Sequence, residues 1–114
     1  MEQFVRTRLL QMQAEFRQRV GAIQQDMQSL AGGGFTRQAH NRESDEVLMH
    51  LLNEAEIELG RVNQALLRIQ EGRYGQCVRC GEPISPARLV AVPQTDICHV
   101  CARYENQLAH PTHE

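Results

Sequence analysis

Four cysteines constrain this chain more than any other feature. They stand as Cys77-Val78-Arg79-Cys80 and Cys98-His99-Val100-Cys101, two C-x2-C pairs with seventeen residues between them. A two-residue gap lets both sulfurs of one turn converge on a point about 2.3 Å away, with the backbone N–H groups of the turn facing the thiolates. Two such pairs at this separation have the spacing of a tetrathiolate zinc site. Gly81, directly after the second cysteine, suits the tight turn of such a knuckle. Four sulfurs complete a tetrahedron and leave no position for water or substrate. The implied Zn2+ is therefore structural, one per chain, with Cys77, Cys80, Cys98 and Cys101 as its ligands. The rival chemistry for these thiols is a dithiol redox switch. His99 lies inside the second knuckle, but four cysteines already fill the shell. His110 and His113 flank Pro111 in a polar tail, and His40 and His50 have no companions at ligand spacing.

A staple is what a chain like this needs. It has 114 residues, only 4% aromatics and no Trp, so large side chains are too few for a sizeable compact core. What it has instead is helical periodicity. Val5, Leu9, Met12, Phe16, Val20, Ile23, Met27 and Leu30 recur at steps of three and four, a heptad seam with one extra residue. Leu48, Leu52, Ala55, Leu59, Val62, Leu66 and Ile69 form a second, unbroken seam. Between them lies Ala31-Gly32-Gly33-Gly34, where three glycines cost too much backbone entropy to continue a helix. Ser44 offers a cap for the second helix, with Thr36 as an earlier start. Glu15 and Arg19 stand at i, i+4 on the polar face of the first. Two helices of roughly 40 Å each, joined by a short polar loop, predict an antiparallel hairpin; pairing of each seam with another chain is the competing arrangement. The expected fold is mainly α: an antiparallel coiled-coil helical hairpin over 1–71 with its tip at about 31–44, then a small C-terminal four-cysteine zinc finger and a short terminal helix over 72–114. Ile84, Leu89 and Val92 are expected to pack around the metal, and Tyr104 and Leu108 to face the base of the hairpin.

Charge narrows the function. The net charge is −2, and four thiolates around one dication add about −2 locally. Both argue against a protein that coats duplex DNA by charge. Residues 1–35 carry +1, residues 36–71 carry −3, and residues 72–114 are balanced. The acids gather in Glu43, Asp45, Glu46, Glu54, Glu56 and Glu58, near the loop end of the second helix. A solvated helix face explains them; so does an acidic tip aimed at a basic or metal-containing cavity. No apolar run is long enough for a membrane span. The first residues lack a basic stretch followed by an apolar one, so a cytoplasmic location is expected. No nucleophile–base pair and no phosphate-cradling loop argue for an enzyme, and Gly32-Gly33-Gly34 is not followed by Gly-Lys-Ser/Thr.

One set of residues resembles a known family. Tyr74-Gly75-x-Cys77-x-x-Cys80-Gly81-x-x-Ile84, then Arg88-Leu89-x-Ala91-x-Pro93, then Cys98-x-x-Cys101, is similar to the zinc finger of the DksA/TraR bacterial transcription regulators. The preceding hairpin agrees with that family's coiled coil, so the resemblance covers nearly the whole chain. The amino end is shorter than in full-length members, which implies a reduced globular part beside the finger.

The resemblance implies a regulator that binds RNA polymerase rather than DNA. Its hairpin would enter the secondary channel toward the catalytic Mg2+, and ppGpp would strengthen the effect at the junction of the two proteins. A monomer is expected. An ungapped count back from Cys77 places Gly34, Arg37 and Ala39 on the family's tip pattern Asp-x-x-Asp-x-Ala, so only the alanine is retained. Asp45 and Glu46, one to two turns further on, are the acids left to act in their place. The same count puts Arg61 where the family has a basic residue implicated in ppGpp contact, while Val92 and Ala102 occupy positions that are basic in the family. The residues themselves leave two other functions open: a zinc-stapled coiled-coil adaptor for another protein, and a thiol redox sensor.

Overall fold

The computed structural model describes residues 2–31 and 42–109, with side chains over 2–29 and 45–105. These residues form four helices: α1 (Glu2–Ala31), α2 (Arg42–Glu71), α3 (Pro86–Ala91) and α4 (His99–Ala109). Among the described residues there is no strand, only a single antiparallel bridge between Gln76 and Pro83. The tip residues Gly34, Arg37 and Ala39 lie outside the described residues, as does Thr36. The expected cap at Ser44 is corrected: α2 is already helical from Arg42. Nothing in Arg42-Glu43-Ser44-Asp45 is a helix breaker, and an interior Ser costs only a few tenths of a kcal/mol.

The chain forms two compact units. One joins residues 1–10 to residues 61–114, so the first turns of α1 pair with the last turns of α2 and with the cysteine-bearing segment. Its helical core is Val5, Leu9, Val62 and Ala65, each at most 1% exposed. Burying a Val or Leu completely is worth about 1.5–3 kcal/mol, so this short pairing carries much of the unit's cohesion. The other unit is residues 11–60, where α1 runs antiparallel to α2 and buries Met12, Ile23 and Ala55. Both seams face inward throughout: every described seam residue is buried or half-buried. Arg19 lies with its guanidinium over the Phe16 ring, 5.0 Å from the centroid, instead of pairing with Glu15. His50 Nε2 and Glu54 Oε2 stand 3.1 Å apart on the outer face of α2.

The end of α2 is built into its sequence. Gly72 adopts φ +77°, a conformation open to glycine and strained for other residues. Its N–H donates to the Ile69 carbonyl, and the Arg73 N–H donates to the Arg68 carbonyl, 2.9 Å away. This pair of bonds is the Schellman motif, which satisfies the last carbonyls of a helix while turning the chain. The turn delivers Tyr74 and the first cysteine pair to the side of the helix end.

Candidate metal centre

The first knuckle grows from a two-residue ribbon. Cys77 N–H donates to the Glu82 carbonyl at 2.9 Å, and Ile84 N–H donates to the Gly75 carbonyl at 2.8 Å. The Gly81 N–H closes the turn on the Cys77 carbonyl at 2.9 Å, with φ +80° at Gly81. Inside the turn the Arg79 N–H points at the Cys77 sulfur, 3.4 Å away. The second knuckle is made differently, from the start of α4. There the Cys101 N–H donates to the Cys98 sulfur at 3.5 Å, and the Ala102 N–H to the Cys98 carbonyl at 2.9 Å. The terminal helix therefore begins at His99, two residues before Cys101.

Between the knuckles, Ser85-Pro86 starts α3, a short helix in a segment whose apolar pattern shows no helical period. The Ser85 Oγ accepts from the Arg88 N–H at 3.2 Å, and Pro86 occupies the first turn, where its missing N–H costs nothing. α3 drives Leu89 into a small core with Cys77 and Ile84, against which Tyr74, Ile97, Cys98 and Cys101 pack. Val92 stays half-buried and lines a cavity instead. The Tyr74 hydroxyl donates to the buried Pro93 carbonyl at 2.8 Å, tying the entry to the finger to the segment beyond α3. Arg79 pairs with Glu105 of α4. Tyr104, expected to face the hairpin, is 60% exposed, because the helix phase set by Cys101 turns position 104 outward.

The four sulfurs converge: they lie within 4.8 Å of one another, and His99 is not among them. All four cysteines are free. Sulfurs on a regular tetrahedron at about 2.3 Å from an ion stand about 3.8 Å apart, and those of Cys80 and Cys98 are 3.7 Å apart. A disulfide would need about 2.05 Å. The arrangement thus fits one tetrahedral divalent cation, and a soft all-thiolate donor set selects zinc among the common ions. Cys77 is 2% exposed; Cys80 lies at the surface.

Protons at the cluster report the same need for a cation. Burial pushes the Cys77 thiol up, but the N–H groups of Cys80, Cys98 and Arg79 outweigh it and bring it down to about 6. Cys98 is lowered, chiefly by the Cys101 N–H. Hydrogen bonding with Cys98, followed by burial, pushes Cys101 up to about 12. Cys80 is raised as well: the Glu82 N–H lowers it, but burial and hydrogen bonds with Cys77 and Cys98 win. Burial and hydrogen bonds from neighbouring sulfurs thus favour the protonated form at Cys80 and Cys101. A bound dication displaces those protons.

The remaining predicted residues are not part of this centre. Asp45 and Glu46 lie exposed on the first turns of α2. Arg61 lines a cavity of about 380 Å3 with Val78, Arg79, Arg88, Val92 and Gln94. Thr95 and Glu105, which the sequence reading passed over, support the finger. Their signal was weak: an isolated Thr in a loop, and an acid four residues past a cysteine.

Comparison with known proteins gives consistent findings. Residues 72–107 match the model of the prokaryotic dksA/traR C4-type zinc finger. An uncharacterized protein of Aquifex aeolicus is 42% identical over 59 residues, 52% of this chain and 41% of that protein. The RNA polymerase-binding transcription factor DksA of Caulobacter vibrioides is 49% identical over 35 residues, 31% of this chain and 25% of that one. The chain thus spans less than half the length of these curated relatives. Among solved structures, transcription factor DksA2 of Pseudomonas aeruginosa shares the fold, with a TM-score of 0.77 at 23% identity over 95% of this chain and 84% of that one. The DnaK suppressor protein of Agrobacterium tumefaciens superposes with a TM-score of 0.65 at 35% identity, over 91% of this chain and 93% of that one.

Proposed function

The chain belongs to the DksA/TraR family of C4-type zinc-finger proteins, and from that premise we propose that it is a transcription regulator that binds RNA polymerase and is not an enzyme. In this reading residues 1–71 supply a helical hairpin that enters the secondary channel, and residues 72–114 supply the zinc-bearing foot that rests on the channel rim. The observation that carries it is the closed four-sulfur centre set beside paired helix ends in one compact unit. A closed site does no chemistry on a substrate; it holds a shape, and a shape of this kind serves docking. The Caulobacter relative, 49% identical over 35 residues, is itself an RNA polymerase-binding transcription factor.

The tip and the effector surface distinguish this chain within its family. Arg37 and Ala39 mark the tip in the ungapped count, and Asp45 and Glu46 are exposed acids on the first turns of α2. Their action on promoters therefore differs from that of members with an acidic tip. Arg61 is the candidate contact for ppGpp, and it lines the cavity beside the finger. Around it in the cavity wall, Arg79 is paired with Glu105, Arg88 is bonded to the Ile97 carbonyl, and Val92 contributes no charge. A highly charged nucleotide needs several cations at once, so little or no response to ppGpp is expected.

The test is binding of the purified, zinc-loaded chain to core RNA polymerase, with and without ppGpp. Saturable binding, displaced by another secondary-channel factor and lost on deletion of 31–44, is the expected result. Absence of binding refutes the reading, and full-strength binding by the deletion variant refutes the role of the tip. A pull-down dominated by another protein, without polymerase subunits, makes the chain an adaptor instead.

A further inference from the structure

We propose that Arg88 and Thr95 are positioning residues of the metal centre: they set the geometry of the second knuckle and so govern how long the zinc is held. The two knuckles are supported unequally. The first is fixed by backbone bonds on both sides, Cys77 to Glu82, Gly81 to Cys77 and Ile84 to Gly75. The peptide leading into the second is fixed by side chains. The Ile97 carbonyl, one residue before Cys98, accepts from Arg88 Nε at 2.9 Å and from the Thr95 hydroxyl at 3.1 Å. The Ile97 N–H donates to the same Thr95 oxygen at 3.4 Å, and Arg88 Nη2 reaches that oxygen at 3.3 Å. One backbone bond, Val78 N–H to the Asp96 carbonyl, holds the residue before.

This network has a rigid origin. Ser85 caps α3 on the Arg88 N–H, and Leu89 beside it is anchored in the core against Cys77. The Arg88 guanidinium is therefore aimed from an element packed on the first knuckle at the peptide that presents the second. Thr95 is only 9% exposed, so its hydroxyl is not exchanging these partners for water. A planar guanidinium reaches two acceptors from separate nitrogens in a fixed fork, whereas a glutamine offers one donor nitrogen on a shorter stem and an ammonium holds its partners with less constraint. Residues outside the ligand shell that orient ligands in this way typically change metal affinity by about 10–100-fold when replaced.

The experiment uses the full zinc-loaded chain and the variants Arg88→Gln, Arg88→Lys and Thr95→Val. Zinc transfer to a chromogenic chelator is followed while the thiols are alkylated and mapped by mass spectrometry. Arg88→Gln is expected to release zinc at least about tenfold faster, with Arg88→Lys between it and the parent. In the Arg88→Gln and Thr95→Val chains, Cys98 and Cys101 are expected to be alkylated before Cys77 and Cys80. A merely stabilising role would expose all four together. Parental release rates in Arg88→Gln and Thr95→Val, or alkylation of the four thiols in step, would overturn the proposal. If Arg88→Gln loses its helicity, Thr95→Val, which removes one hydroxyl from a shape of equal volume, decides by the same order of labelling.

Discussion

Replacing Tyr74 by Phe deletes one hydroxyl and one hydrogen bond, and its effect can be worked out in two pH ranges. At neutral pH the hydroxyl donates to the Pro93 carbonyl at 2.8 Å, and Pro93 is buried. Losing the donor leaves a carbonyl shielded from water, at a cost of about 1–3 kcal/mol. The ring remains to pack against the Cys77, Ile84 and Leu89 core, so the lower half of that range is expected. For a chain near 100 residues, each kcal/mol lowers Tm by roughly 4–8 °C. In alkali the sign reverses. Burial, reinforced by Glu2 and opposed by Arg68, pushes the Tyr74 phenol up to about 12 from its usual 10. A group that binds its proton more tightly when folded stabilises below its unfolded pKa and loses that contribution as pH rises through its folded one. The parent should therefore lose stability between pH 10 and 12 through this residue, and the Tyr74→Phe chain should lose less. Thermal melts of the zinc-loaded proteins at pH 7 and across the alkaline range provide the assay. Equal Tm at pH 7, or parallel alkaline losses in both chains, would refute the reasoning.

Other perturbations follow from the same geometry. Val62→Asp puts an unpartnered charge at a position 0% exposed and should cost more than 3 kcal/mol, about the upper end for a buried group without a partner; near-parental helicity by circular dichroism would show the wrong packing face. Cys77→Ser and Cys101→Ser each remove a ligand. Because zinc supplies about 10 kcal/mol of folding free energy in small modules, both should melt the carboxyl-terminal segment well before the helices. An unchanged melting profile in excess chelator would contradict this. His50→Ala breaks an exposed pair with Glu54 and should shift stability by less than about 0.5 kcal/mol. A larger loss in urea unfolding would contradict a solvent-exposed setting for this face of α2.

Different parts of the molecule were legible in the sequence to different degrees, for physical reasons. Ligand spacing is a local rule, so the four cysteines were readable without any knowledge of the fold, and they do converge. The seams were readable because helix packing repeats over many turns. Neighbouring positions were not: Ala65 is 0% exposed and Arg68 only 7%, since a small side chain and a long aliphatic stem can both be covered at a close approach that a hydrophobicity pattern does not encode. α3 was missed although Ser85-Pro86 carries a helix-start signal; six residues contain too little periodicity to stand out. The supporting bonds of Tyr74 and Arg88 span seven to nineteen residues in sequence, and no local pattern predicts which loop partner a side chain will meet.

One ion gripped by four sulfurs holds the carboxyl-terminal segment together, and the most direct measurement is metal content together with X-ray absorption at the zinc edge on the purified chain. One zinc per chain with an all-sulfur shell at about 2.3 Å is the expected result. A natively folded, metal-free chain, or a shell containing nitrogen or oxygen, would contradict it.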